Sequence, residues 1–196
     1  MKTKLRSCVL VCLLSVVNGV AAPGGPRIKG FCAGMPKNDA WKRFQDIVDL
    51  LNARKSPDAN LTWMAAQGQC PGGGPCNRVY IFRSAYKSYV PGPGNERDAR
   101  GQFVFNQADE VTEIELESEC VTVLFNLPEV QLRQFADQFE EAYGLNKSQR
   151  VEDTNYRISW NSPEGISVTI GSQNGLINYF RLRFVATKER IRSQLN

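Results

Sequence analysis

Three glutamates, Glu113, Glu115 and Glu117, alternate with Ile114 and Leu116. Alternation sends the three carboxylates to one face of a strand and the apolar pair to the other. Such a strip can do one of three things. It can face water while Thr112, Ile114 and Leu116 pack inward, it can receive a basic partner, or it can house a glycosidase-type carboxylate pair. A second strip, Tyr179, Arg181 and Arg183, alternates with Phe180, Leu182 and Phe184. Arginine and tyrosine carry large contact area and several hydrogen-bonding atoms, and so are favoured at protein interfaces. The competing reading is cross-strand pairing, including pairing with the glutamate strip. A third cluster is Tyr80, Tyr86 and Tyr89 beside a Pro/Gly-rich stretch from Pro91 to Gly101. That stretch reads as a mobile loop able to enter a partner's cleft.

Other chemistry is disfavoured by composition. The chain contains no histidine. That removes the Ser-His-Asp and Cys-His nucleophilic systems, histidine-ligated zinc and histidine as general base. Gly72, Gly73 and Gly74 sit between prolines and cysteines with no helix pattern after them, so they do not form a phosphate loop. No cofactor and no metal site is expected.

The first 22 residues have the pattern of a secretory signal peptide. Lys2, Lys4 and Arg6 open it, an apolar run spans Val9 to Val17, and Gly19 to Ala22 supply small residues for cleavage. The run is too short for a membrane span, which needs about 20 residues. No cysteine stands where a lipoprotein signal would be acylated, so no lipid anchor is expected either. The leader holds three of the 24 basic residues and none of the 20 acidic ones, so the net charge of +4 becomes +1 without it. Near-neutral charge gives no support to nucleic-acid binding. These features predict a periplasmic or secreted protein.

Beyond the leader lie Cys32, Cys70, Cys76 and Cys120. An even count in an oxidising compartment points to disulfides. Cys70 and Cys76 flank a short Pro-Gly loop and can close locally, which would leave Cys32 to pair with Cys120. The alternative joins Cys32 to Cys70 and Cys76 to Cys120. A four-thiolate zinc site has tighter spacings than these.

The elements that must position these groups follow from periodicity. Trp41, Phe44, Ile47, Val48 and Leu51 mark a helix with Asn38 as N-cap, followed by strands over Leu61 to Ala66 and Arg78 to Phe82. A hairpin over Gln102 to Phe105 and Val111 to Leu116 comes next, then a strand over Cys120 to Phe125. Leu132, Phe135, Ala136, Phe139 and Tyr143 mark a second helix starting near Pro128 and stopped by Gly144. Three strands follow it. Tyr156, Ile158 and Trp160 share a face in the first, Ile166, Val168 and Ile170 in the second, and Phe180, Leu182 and Phe184 in the third. Ser162 to Gly165 and Asn174-Gly175 form the turns between them. The fold class is α+β, with two tandem units, each a helix packed on a small antiparallel sheet. Their ranges are 23–125 and 126–187, with a basic tail over 188–196 containing Lys188, Arg190 and Arg192. Asn60 and Asn146 open glycosylation-type triplets that matter only in a eukaryotic secretory route.

Gly30-Phe31-Cys32-Ala33-Gly34-Met35, leading into a helix, resembles the entry of bacterial modules of the outer-membrane-assembly small-lipoprotein type. The tandem helix-plus-sheet order is similar to that of the β-lactamase inhibitor protein modules. The chain departs from the lipoprotein in lacking the acylated cysteine. The resemblance implies a non-enzymatic protein that binds another protein through its sheet. The expectation is an exported inhibitor or immunity protein that occludes an enzyme or toxin. The alternatives are an envelope-assembly or cell-wall accessory and a carboxylate-dependent hydrolase.

Overall fold

The computed structural model describes residues 27–32, 34–54, 60–85, 91, 99–126, 131–163 and 165–184. Tyr86, Tyr89, the leader, the basic tail and most of the Pro91 to Gly101 stretch lie outside these residues.

The first helix, α1 (Lys37–Ala53), buries Ala40, Phe44, Ile47, Val48 and Leu51. It starts one residue before the expected cap. Pro36, extended at φ −59° and ψ 141°, precedes it, and its carbonyl accepts the N–H of Ala40 at 3.1 Å. Asn38 therefore lies inside the first turn. Four strands follow: β1 (Thr62–Gln69), β2 (Pro75–Ser84), β3 (Ala99–Phe105) and β4 (Val111–Glu117). Residues 99–101, expected in the loop, belong to β3. Gly101 allows a close approach there: a Cβ would lie 2.8 Å from the tip of the Leu116 side chain, which would have to shift.

The run Cys120 to Phe125, expected as a strand, is instead the helix α2 (Ser118–Phe125). A short apolar run fits a buried helix as well as a buried strand, and tertiary packing decides. Ser118, at φ 47°, turns the chain sharply off the end of β4. Asn126, left-handed at φ 50°, ends the helix after two turns. Within them Cys120, Val121, Val123 and Phe125 are all buried.

Next comes α3 (Leu132–Tyr143), closed by Gly144 at φ 68° as expected. Four strands, not three, follow: β5 (Arg150–Asp153), β6 (Arg157–Asn161), β7 (Ile166–Gln173) and β8 (Leu176–Phe184). β5 has no apolar alternation to announce it. Tyr156 is not on the inward face with Ile158 and Trp160. It precedes β6 in a turn closed by Thr154 N–H on the Arg157 carbonyl, and it is 62 % exposed. The turn at Asn174-Gly175 has positive φ at both residues, as a two-residue hairpin needs.

The architecture is α+β: among the described residues, three α-helices and one eight-stranded antiparallel sheet of order β1-β2-β3-β4-β8-β7-β6-β5. The two four-stranded runs form one continuous sheet, joined where β4 pairs with β8. All three helices cover the same face. Phe44 of α1 meets Phe103 edge-on at 4.8 Å, Phe125 of α2 meets Phe180 at 5.0 Å, and Phe139 of α3 stacks on Trp160 at 5.7 Å. Val79, Ile81, Ile114, Leu116, Ile158, Val168, Ile170 and Leu182 fill this layer from the sheet. Each such side chain contributes about 1.5–3 kcal/mol by leaving water, so this layer sets which way every strand faces.

Candidate functional site

Because β-strands alternate, fixing the inward layer fixes the outward one. The inward pairs Ile114–Leu182 and Leu116–Phe180 place Glu113 opposite Arg183, Glu115 opposite Arg181 and Glu117 opposite Tyr179. The two strips, far apart in sequence, are thus adjacent on the two central strands, on the sheet face opposite the described helices.

They bond directly. Arg181 donates to Glu113 Oε1 from Nε at 3.0 Å and from a terminal nitrogen at 2.7 Å. Arg183 Nε donates to the other oxygen, Oε2, at 3.0 Å. Tyr179 donates its hydroxyl to Glu115 Oε1 at 2.8 Å, and Gln102 of β3 donates to Glu115 Oε2 at 2.8 Å. Glu117 faces Arg100 at 3.9 Å. Burial first, and the Glu115 carboxylate second, push the Tyr179 phenol above its ordinary range. For Arg181 burial pulls the other way, but the bond and charge of Glu113 outweigh it and the guanidinium is held more firmly protonated.

The polar line continues across the sheet. Register places Gln102, Glu115, Arg181, Thr169, Ser159 and Glu152 in one row over six strands. Ser159 and Thr169 share a hydrogen bond at 3.0 Å, and Ser159 donates to Glu152 at 3.3 Å. Arg157 lies over the Tyr179 ring at 5.9 Å. At the β2–β4 side a depression of about 250 Å³ opens, lined among others by Arg78, Tyr80, Arg100, Gln102 and Glu117. Tyr80 is buried there at 3 % exposure, pressed against Gly68, where a Cβ would meet its ring at 2.5 Å. It packs as part of the face and does not project from it.

The sequence singled out Glu113, Glu115, Glu117, Tyr179, Arg181 and Arg183, and the fold brings all six together. Tyr86 and Tyr89 lie outside the described residues. Arg78, Arg100, Gln102, Arg157 and Thr169 were missed, because only strand register reveals that they share this face.

The carboxylates are poorly placed for hydrolysis. Both oxygens of Glu113 and both of Glu115 already accept from donors of the chain itself, which stabilises them as ionised acceptors. Among the described residues no group of three or more Cys, Asp or Glu is gathered as a metal would require. No helix of the described residues is long and apolar enough to cross a membrane.

Cys70 and Cys76 form the local disulfide, around a loop also held by Cys70 N–H on the Gly74 carbonyl at 2.8 Å. The expected partner bond is corrected: Cys32 and Cys120 are free thiols. Cys120 is in α2, not in a strand, and is buried as an apolar core residue, while Cys32 packs against the same core from the segment before α1. The other pairing, Cys32 to Cys70 and Cys76 to Cys120, is equally absent. No family model matches the chain, and the searches of curated proteins and of solved structures found no match to it.

Proposed function

We propose that this is an exported protein-binding module that docks a partner on the open face of its sheet, acting as an inhibitor or immunity protein by occluding an enzyme. One observation carries the reading. Among the described residues, three helices all cover one face of an eight-stranded sheet, and the central strands of the other face carry an ordered network of tyrosine, arginine and glutamate. Glu113 holds both Arg181 and Arg183 before any partner arrives, which lowers the ordering cost of binding.

The mirrored strand order supports the tandem reading within this proposal. Helix α1 with β1–β4 forms one unit and α3 with β5–β8 the other, meeting at β4 and β8. The docking face then straddles the join. A periplasmic or secreted location fits the signal-like leader, and the Cys70–Cys76 bond suits an oxidising compartment.

The test is affinity capture from the native extracellular or envelope fraction. The bait is the immobilised chain, with a Tyr179→Ala/Arg183→Glu variant as control. The expected result is one soluble enzyme that the variant fails to retain and that the free chain inhibits at equimolar dose. Retention of barrel proteins or wall fragments would instead favour an envelope accessory. Polymer hydrolysis by the pure chain, with no partner retained, would overturn the docking reading.

A further inference from the structure

The sequence presents this face as an acidic strip beside a basic one; the hydrogen bonds redistribute its capacity. An ionised carboxylate only accepts, and a guanidinium only donates, from five N–H groups. On this face most of the central acceptor capacity is engaged, although Glu117 makes only the 3.9 Å contact with Arg100. Glu113 receives from Arg181 on one oxygen and from Arg183 on the other. Glu115 receives from Tyr179 and from Gln102. Glu152 receives from Ser159. The donors are not spent. Arg183 engages Glu113 through Nε, and its side chain is 51 % exposed. Arg157 is exposed and rests over the Tyr179 ring. Arg100 reaches only one carboxylate, at 3.9 Å, and is 45 % exposed. Arg78 is exposed at the rim of the 250 Å³ depression.

We infer that the partner is an acidic protein surface, whose aspartates and glutamates meet the unspent guanidinium N–H groups of Arg78, Arg100, Arg157 and Arg183. This inference rests on the docking reading and specifies its chemistry. A basic partner would have to displace internal arginines to reach Glu113, and of the strip carboxylates would find Glu117, held by Arg100 only at 3.9 Å, the one open to it. An acidic one adds bidentate guanidinium–carboxylate pairs without breaking any bond on the face. Glu113 is then a positioning residue: it fixes the Arg181 and Arg183 stems.

The experiment is a chemical-shift titration of the isotope-labelled exported chain, observing backbone amides and arginine Nε–H signals. The probes are a hexaglutamate peptide and a hexalysine peptide, each at low salt. The expected result is that hexaglutamate shifts the Arg157 and Arg183 Nε–H signals and the β4 and β8 amides, and hexalysine does not. An Arg157→Ala/Arg183→Ala variant should bind hexaglutamate at least fivefold more weakly, while Arg54→Ala, at the end of α1, leaves it unchanged. Shifts on this face from hexalysine alone would overturn the acidic-partner inference and leave the docking reading standing. Equal weakening by Arg54→Ala would also overturn it, since the binding would be diffuse. No shift on this face from either peptide would overturn both.

Discussion

The Glu140 carboxylate, on α3, accepts the indole N–H of Trp160, on β6, at 2.7 Å within the core. The same oxygen accepts Arg150 Nε at 2.7 Å, and Arg150 also reaches Asp153 at 2.8 Å and Asp137 at 3.2 Å. One buried carboxylate thereby fastens the helix to the two outermost strands of its side. Buried polar groups are tolerated only when partnered in this way. Replacing Glu140 by leucine leaves the buried indole N–H without its acceptor and takes from Arg150 its shortest ion pair, while Asp153 and Asp137 still hold the guanidinium. The expected cost is about 1–3 kcal/mol, read as a lowered urea midpoint. The double variant Glu140→Leu/Arg150→Met should recover none of that loss, because Arg150 is still paired in the single variant.

The Glu113 bridge should behave differently. Its side chain is 16 % exposed, but those of Arg181 and Arg183 are 34 % and 51 % exposed, so solvent screens the pairs. Glu113→Ala should cost at most about 1 kcal/mol of stability. Its effect on the captured partner should be larger, about tenfold in affinity or about 1.4 kcal/mol, because Arg181 and Arg183 lose their fixed stems. Parallel chemical denaturation and binding isotherms separate the two effects.

Alkaline pH provides a further check. The folded chain holds the Tyr179 proton more tightly than the ordinary phenol value of 10.0. Its contribution to stability is therefore complete below that value and is lost as pH rises above it, where the unfolded chain ionises first. Wild type should lose more urea resistance between pH 9 and pH 11, on the order of the window set by the phenol, than Tyr179→Phe does. Equal losses would mean that the phenol is not held by burial and Glu115.

The two free thiols among the described residues, Cys32 and Cys120, should react unequally. Cys120 is fully buried, and burial first, then the nearby Glu119 charge, pushes its thiol upward, away from the reactive thiolate. Cys32 is only partly buried. In the chain from Pro23 onward, a disulfide-exchange reagent should titrate Cys32 under native conditions and Cys120 only after denaturation. Cys70 and Cys76 should appear only after reduction.

Much of this arrangement is legible in the sequence, for physical reasons. Helices α1 and α3 and strands β3, β4, β7 and β8 carry strong apolar periods, and burial enforces those periods. The facing of Glu113, Glu115, Glu117, Tyr179, Arg181 and Arg183 follows from alternation alone. Their contact does not, because the β4–β8 register depends on packing of Ile114, Leu116, Phe180 and Leu182 against the helices. α2 misleads because β-branched Val121, Thr122 and Val123 favour strands locally, whereas the tight exit at Ser118 and full burial favour a helix. β5 is silent because Arg150 and Asp153 serve an ionic network and leave no alternating pattern. The free state of Cys32 and Cys120 is likewise invisible, since thiol count says nothing about geometry.

The docking claim is tested most directly by photo-cross-linking in the native secreted or envelope fraction. A benzophenone side chain at Val104, opposite Glu113 on the open face, is compared with one at Leu50, 54 % exposed on α1. One discrete adduct is expected from position 104, disappearing in the Tyr179→Ala/Arg183→Glu background, and none from position 50. Adducts from position 50 alone, or equally from both positions, would contradict that claim.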